Sequence, residues 1–218
     1  MKQPVKTLIV ICSLLVLPLL AQAQTEPDPV AGQQKALICS ACHGQNGMSI
    51  APNFANLAGQ GEKYLIKQIH DIKNDDRTVL EMTGMLAALT ESDIADIAAY
   101  YASLPTQTMG SQAIDDADWD LSSEEFLALG EKIYRFGNPD SGLPSCTGCH
   151  SPTGAGNAPA GFPALGGQHS EYLVAQLDNF RSNRRTNDGE SQIMRGAVAY
   201  MTDLEVRAVA NYISGLQP

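Results

Sequence analysis

The sequence predicts an all-α protein built from two copies of one small helical domain. The first observation is an internal repeat, since a Cys-x-x-Cys-His run at residues 39–43 recurs at residues 146–150 with matching residues after both. The second is that apolar residues recur at three- and four-residue spacing, as on one face of a helix. The third is that no stretch alternates apolar and polar residues persistently enough to predict a sheet.

The repeat extends far beyond the two cysteine motifs. Ala51-Pro52 aligns with Ala158-Pro159, and one residue is then inserted in the second copy. Each copy is therefore a complete unit of about ninety residues. Further pairs are Phe54 with Phe162, Leu57 with Leu165, Gln60 with Gln168, Tyr64 with Tyr172, Gln68 with Gln176, Met82 with Met194, Thr90 with Thr202, Ala98 with Ala210, and Tyr100 with Tyr212.

Each copy is predicted to contain three main helices. Thr90, Ser122 and Thr202 are the expected N-caps of three of them, each followed three residues later by an acid that completes a capping box. The predicted helices cover residues 30–42, 62–74 and a stretch that starts at residue 90, and then residues 122–136, 170–182 and 202–215.

Residues 1–23 are predicted to be a signal peptide. Lys2 and Lys6 form a basic start, residues 8–20 are apolar, and a small-x-small site precedes cleavage after Ala23. The alternative is an uncleaved membrane anchor. Cleavage predicts export to the periplasm.

The remaining chain has a defined order of domains and a strong acidic excess. We expect an N-terminal copy at residues 24–105, a linker at 106–121 and a C-terminal copy at 122–218, with Trp119 anchoring the linker to a domain surface. Without Lys2 and Lys6, 12 basic residues face 24 acidic ones. This balance argues against nucleic acid and anionic lipid as partners, and it suits either solubility or a basic docking partner.

The two cysteine motifs predict two covalently bound haem c groups. Two thiols three residues apart at the start of a helix can both add to the vinyl groups on one porphyrin edge, and the next histidine can bind the iron. The motifs supply Cys39, Cys42 and His43, then Cys146, Cys149 and His150.

Zinc, a thioredoxin-like redox pair and a disulfide are the alternative interpretations. A zinc site would lack a nearby fourth ligand, and a redox pair has no use for the following histidine. Cys12 leaves with the signal peptide, so no cysteine remains for a structural disulfide.

The chain resembles a known family over nearly its whole mature length. Each half resembles the class I c-type cytochrome fold, and the two together resemble the dihaem cytochrome c4 family. The resemblance implies a periplasmic electron carrier whose two haems face each other through their propionate edges across a pseudo-twofold axis. It also implies two partners, a quinol-oxidising cytochrome bc complex and a haem-copper oxidase, and peripheral association with membrane complexes. The matching residues are Ala51-Pro52-Asn53-Phe54, Leu80-Glu81-Met82-Thr83-Gly84-Met85, Gly161-Phe162-Pro163, Gly166-Gly167-Gln168-His169 and Arg185-Thr186-Asn187-Asp188-Gly189.

The repeat selects the second axial ligand of each iron. A methionine thioether opposite histidine favours reduced iron, as an electron carrier needs. Met82 matches Met194, whereas Met85 falls on Ala197 and Met201 falls on Leu89. We therefore expect Met82 and Met194 to be the ligands, and the family pattern has its axial methionines at these positions.

Two further expectations concern the surroundings of the irons. Pro52 and Pro159 lie nine residues after their histidines, and their carbonyls are predicted to accept the second imidazole proton, unless Ala-Pro is only a rigid loop. Arg195 directly follows Met194, whereas Glu81 precedes Met82. The C-terminal haem is therefore predicted to have the higher potential.

Three classes of function remain open from the residues alone. The first is an electron carrier with no substrate other than electrons and no catalytic residues. The second is an enzyme such as a dihaem peroxidase, which needs a displaceable iron ligand, although both copies keep a methionine. The third is the dihaem electron-accepting subunit of a larger dehydrogenase, such as a flavocytochrome.

Overall fold

The computed structural model describes residues 26–114 and 119–218. The predicted signal peptide and its cleavage site lie outside these residues. The described residues form helices and loops, and their only extended pairings are two isolated bridges, Asn138 with Leu143 and Asn157 with Phe162. The predicted all-α class is confirmed. In the described part of the chain no helix has the length and apolarity needed to cross a bilayer.

Nine α-helices occur in the described residues, four before the linker and five after it. The capping boxes predicted at Thr90, Ser122 and Thr202 all form. The helices are α1 Pro29–Lys35, α2 Ser40–His43, α3 Glu62–Lys73, α4 Glu91–Ser103, α5 Ser123–Phe136, α6 Thr147–His150, α7 Ser170–Arg181, α8 Ile193–Val198 and α9 Asp203–Ser214.

Two helix predictions need correction. The helix expected over residues 30–42 is broken, because a 3₁₀ turn at Ala36–Ile38 tightens the chain between α1 and α2. Helix α8 was not predicted, and its counterpart in the N-terminal copy is only a 3₁₀ turn at Leu80–Met82. The two copies therefore differ in the segment that carries the candidate methionine ligand.

A glycine permits the closest helix crossing in each copy. Helix α1 packs on α4, and α5 packs on α9. A Cβ atom on Gly32 would lie 1.9 Å from the carbonyl oxygen of Asp96, and one on Gly130 would lie 2.1 Å from that of Ala208. The backbones thus touch at these two points, and each copy has its own apolar core behind the crossing.

Gly130→Ala should destabilise the C-terminal copy by about 2–3 kcal/mol, because helices α5 and α9 would have to separate to admit the methyl group. The midpoint of guanidinium unfolding measures this loss. Gly148→Ala is the matched control, since nothing lies within 4 Å of a Cβ there and the first copy has Ala41 at the same motif position. Equal midpoints for the two variants would contradict the crossing contact.

An acid–base cluster joins α1 to α4 in the N-terminal copy. Lys35 Nζ lies 2.6 Å from Asp96 Oδ2 and 2.8 Å from Asp93 Oδ1, and the backbone N–H of Asp28 donates to Asp96 Oδ1 at 2.8 Å. The pKa of each of these two carboxyl groups lies below its ordinary value, and the hydrogen bond from Lys35 is the largest cause in both. The C-terminal copy has Ala208 in place of Asp96.

Acid should therefore remove the stability that this cluster gives to the N-terminal copy. A carboxyl whose pKa is depressed by folding stabilises the fold above its unfolded pKa of about 3.9, and this contribution is lost as the pH falls below that value. We expect Lys35→Met to reduce the acid dependence of unfolding between about pH 4 and 2, followed by haem absorbance. Lys132→Met, at an exposed lysine of α5, should leave that dependence unchanged.

Two glutamines related by the repeat join the copies. The Gln60 side chain accepts from the backbone N–H of Ala164 (2.9 Å) and donates to the carbonyl oxygen of Ala164 (3.0 Å). The Gln168 side chain does the same with the backbone of Asn56, at 2.9 and 3.0 Å. Asn56 and Ala164 are also repeat partners, so each copy binds the other through equivalent residues. These reciprocal hydrogen bonds are the contacts expected of the predicted pseudo-twofold relation.

The linker binds to the C-terminal copy. The backbone N–H of Met109 donates to the carbonyl of Gly167 at 3.3 Å, and that of Gly110 donates to the carbonyl of Ser214 at 3.0 Å. Trp119 stacks on Phe126 with ring centroids 6.1 Å apart. The anchoring role expected for Trp119 is thus confirmed.

Candidate haem sites

Each cysteine motif forms one helical turn that presents its two thiols and its histidine together. In the N-terminal copy Cys39 is the N-cap of α2, and the N–H of His43 donates to the Cys39 carbonyl at 3.0 Å. In the C-terminal copy Cys146 is the N-cap of α6, and the N–H of His150 donates to the Cys146 carbonyl at 2.9 Å. The four cysteines of the motifs are not paired in disulfides.

The proline carbonyls are the wrong acceptors for the imidazoles. Nδ1 of His43 lies 2.8 Å from the carbonyl oxygen of Ala55, and Nδ1 of His150 lies 3.0 Å from that of Pro163. The carbonyl of Pro159 accepts instead from Lys63 at 3.1 Å, and Pro52 is an exposed loop residue.

The correct acceptor follows an aromatic residue in both copies. Phe54 and Phe162 pack edge-on or tilted against the two imidazoles, with ring centroids 6.2 and 6.3 Å apart. The next carbonyl along the chain then reaches Nδ1. Ala55 and Pro163 are repeat partners once the inserted residue is counted, so the alignment contained this signal.

The side chains of the motif fit iron ligation and argue against the alternative interpretations. Burial lowers the pKa of both His43 and His150, so the imidazoles are neutral and their Nε2 atoms can coordinate a metal. Burial raises the pKa of the Cys39 thiol, and that of Cys146 to about 11. A redox-active pair needs a lowered thiol pKa. Within residues 26–114 and 119–218, no cluster of His, Cys, Asp and Glu could hold a zinc ion.

The methionines occupy different kinds of site. Met82 is half-buried beside a cavity of about 200 Å³ whose lining includes the apolar side chains of Ile72, Val79 and Leu86. Met194 is half-buried and packs against the C-terminal core. Met201, by contrast, is 5% exposed and belongs to that core, as expected of a packing residue.

Two arginines donate hydrogen bonds across the interface between the copies. Arg77 and Arg185 follow the repeat, together with Tyr64 and Tyr172 and with Gln68 and Gln176, and these six residues form what we call the arginine cluster. Arg77 donates to its own Gln68 at 2.7 Å and to Gln176 and Tyr172 of the other copy at 3.0 and 3.3 Å. Arg185 donates to its own Gln176 at 2.8 Å and to Gln68 and Tyr64 of the other copy at 2.9 and 3.2 Å.

The arginine cluster places two positive charges in a largely buried interface. Arg185 is 7% exposed. Burial raises the pKa of the Tyr64 hydroxyl, but the charges of Arg185 and Arg77 bring that pKa below its ordinary value. No carboxylate is among the hydrogen-bond partners of the two guanidinium groups in the described residues. The cluster therefore suits an additional anionic group at this interface, and haem propionates have that charge.

Arg195 does not act as the lone charge that the sequence suggested. Its Nε donates to Asp188 Oδ1 at 2.7 Å, and its backbone N–H donates to Asp188 Oδ2 at 2.9 Å. The Asp188 side chain is only 4% exposed. The pair is close to neutral as a unit, so the predicted higher potential of the C-terminal haem loses part of its basis.

Removing the acid and removing the base of this ion pair should shift the reduction potential of the C-terminal haem in opposite directions. Asp188→Asn leaves a positive charge and should raise it, whereas Arg195→Gln leaves a buried carboxylate and should lower it. Potentiometric titration of both variants measures the shifts. The double variant should lie between them, and shifts of the same sign would contradict the electrostatic explanation.

Comparison with known proteins decides the family. The Cytochrome c family model matches residues 30–105 and again residues 127–217. Cytochrome c4 of Pseudomonas aeruginosa is 51% identical over 203 residues, which is 93% of this chain and 96% of that protein. The chain belongs to the dihaem cytochrome c4 family.

A solved structure agrees with this assignment, and a more distant relative is an electron acceptor of a dehydrogenase. The crystal structure of reduced recombinant cytochrome c4 from Pseudomonas stutzeri superposes with a TM-score of 0.81 at 46% identity, covering 88% of this chain and all of that one. A thiosulfate dehydrogenase electron acceptor from Stutzerimonas stutzeri is 32% identical over 83% of this chain and 80% of that protein. As a cytochrome c4, the chain has two haem c domains, carries two covalently bound haems and transfers electrons rather than acting as an enzyme.

Proposed function

We propose that the chain is a periplasmic carrier of single electrons from a quinol-oxidising cytochrome bc complex to a haem-copper terminal oxidase. The observation that carries this proposal is the nearly end-to-end similarity to the cytochrome c4 of Pseudomonas aeruginosa. A net charge of −10 for the whole chain suits docking to basic surfaces, which should speed association at low salt.

The proposal assigns a complete set of haem ligands to each copy. The haem itself supplies reversible one-electron chemistry, and the protein holds it in place and sets its potential. Ala55 and Pro163 would fix the imidazoles, and the arginine cluster would hold the propionates. The proposed covalent and axial ligands are Cys39, Cys42, His43 and Met82 in the N-terminal copy, and Cys146, Cys149, His150 and Met194 in the C-terminal copy.

The proposed domain limits and location complete this picture. The N-terminal copy would cover residues 24–105, the linker 106–121 and the C-terminal copy 122–218, after removal of residues 1–23 on export. Mass spectrometry of the protein from a periplasmic extract would test the location and the cleavage site. The expected mass is that of a chain beginning at Gln24 with two haems added.

Reconstituted electron transfer tests the partners. The purified holoprotein should be reduced by quinol only when the cytochrome bc complex is present, and should then be oxidised by the oxidase with oxygen. Both rates should fall as salt is added, because the docking charges are screened. The proposal would be contradicted if the bc complex reduced the holoprotein no faster than it reduces an unrelated c-type cytochrome.

A second candidate function is electron acceptance from a dehydrogenase. The thiosulfate dehydrogenase electron acceptor of Stutzerimonas stutzeri favours it, since that protein aligns with most of this chain. Thiosulfate and its dehydrogenase would then reduce the holoprotein faster than the bc complex does. A stable complex with the dehydrogenase on gel filtration would support this candidate over the free carrier.

A further inference from the structure

The C-terminal copy has a longer segment before its candidate methionine ligand. Four residues separate Arg77 from Met82, whereas eight separate Arg185 from Met194. The two arginines are matched in the interface, so the four extra residues must extend from there towards α8. They have no counterpart in the N-terminal copy.

The longer segment reaches across to the N-terminal copy at Asn187. Its side-chain Nδ2 donates to Asp71 Oδ2 at 2.5 Å and to Gln68 Oε1 at 3.0 Å. Lys67 Nζ donates to the carbonyl oxygen of Asn187 at 2.7 Å and also pairs with Asp71. All three partners lie on α3, so Asn187 is bound to one face of the opposite copy.

The residue after Asn187 holds the start of α8. Asp188 accepts hydrogen bonds from both the backbone N–H and the guanidinium of Arg195, the residue next to Met194. An unbroken series of contacts therefore joins α3 of the N-terminal copy to Asn187, Asp188, Arg195 and the candidate ligand.

The Met82 segment has no reciprocal support. In the described residues, the hydrogen bonds of residues 78–89 stay within the N-terminal copy, including those from Met85 to Met82 and from Lys73 to Leu89. Leu80 is 79% exposed and Met85 is 38% exposed. Beyond Arg77, which precedes it, this segment is therefore held by hydrogen bonds within its own copy.

We propose that Asn187 and Lys67 are positioning residues for Met194, so that the bond from Met194 to iron depends on docking of the N-terminal copy while the bond from Met82 does not. The inference rests on the ligand set proposed above. Loss of these contacts frees the start of α8, so that the methionine leaves the iron more often and an added ligand replaces it more easily.

The test measures displacement of methionine by imidazole in the ferric holoprotein. In a Met82→Ala background, the remaining near-infrared sulfur-to-iron band reports the C-terminal haem alone. Asn187→Ala or Lys67→Gln should lower the imidazole concentration that removes half of this band by roughly three- to tenfold, as expected when one or two hydrogen bonds are lost. Lys63→Gln is the matched control, because Lys63 lies one turn earlier on α3 and donates across the interface to Pro159 instead.

Two results in the Met82→Ala background would overturn the inference. One is an unchanged midpoint for Asn187→Ala and Lys67→Gln, and the other is an equal shift for Lys63→Gln, which would indicate general loosening of the interface. In a Met194→Ala background, Asn187→Ala should leave the Met82 band unchanged, and an equal shift there would also contradict it. A near-infrared band of wild-type intensity in the Met82→Ala protein, as if neither haem had lost its methionine, would contradict the ligand assignment itself.

Discussion

Replacing Met194 by alanine should remove the near-infrared sulfur-to-iron band of one haem and lower its reduction potential by on the order of 0.1 V or more, within the ~0.8 V that axial ligands span. A thioether stabilises ferrous iron, so its loss favours the ferric state. Met82→Ala should do the same to the other haem. Potentiometry with visible and near-infrared spectra measures both changes at once.

The neighbouring methionines provide the controls for this experiment. Met201→Leu replaces a buried core residue of similar volume and should leave both bands in place. Met85→Leu changes an exposed residue three positions after Met82. If Met85→Leu removed a band and Met82→Ala did not, the ligand assignment in the N-terminal copy would be wrong.

Replacing Arg185 by methionine should loosen the contact between the copies by about 3 kcal/mol. The change removes three hydrogen bonds made by a charged donor, and bonds of this kind contribute about 1.5–3 kcal/mol each. Gln68 and Gln176 keep the hydrogen bonds that Arg77 donates to them, whereas the Tyr64 hydroxyl loses its donor. If haem propionates also bind here, they lose a positive partner, and the cost rises.

Amide hydrogen exchange reports this loosening directly. The backbone N–H groups of Asn56 and Ala164 are bonded to glutamine side chains of the opposite copy, so they exchange when the interface opens. A loss of about 3 kcal/mol should accelerate their exchange roughly 100-fold. Arg184→Met is the control, since Arg184 is exposed and, among the described residues, its side chain donates to Asn179 of its own copy. Equal exchange in the two variants would show that Arg185 does not hold the interface.

The features that recur in both copies could be predicted from the sequence. The helices, the capping boxes and the cysteine motifs depend on local patterns, and the repeat presents each of them twice. The same repeat pairs Arg77 with Arg185 at the spacing that also relates Gln68 to Gln176. The arginine cluster could therefore be predicted from the repeat, once its alignment is extended as far as the two arginines.

The features that were missed depend on insertions or on contacts in space. One inserted residue in the Ala-Pro loop moves the carbonyl that faces the imidazole, so equal spacing from the histidine pointed to Pro52 and Pro159 instead of Ala55 and Pro163. Asp188 lies in a segment with no counterpart, and its pairing with Arg195 depends on how that segment folds back. A charge next to a ligand in sequence is no guide to the local field when its partner is unknown.

The attachment of the linker limits how far the copies can separate when their interface opens. The N-terminal copy ends its last helix at Ser103, and by Met109 the chain is already bonded to the C-terminal copy. The few residues between them span at most roughly 20 Å when extended. So short a tether keeps the two surfaces at an effective concentration of about millimolar or more, and reclosing is a unimolecular event that dilution does not slow. Exchange of electrons between the two haems should therefore be independent of protein concentration, even in variants whose interface is open much of the time.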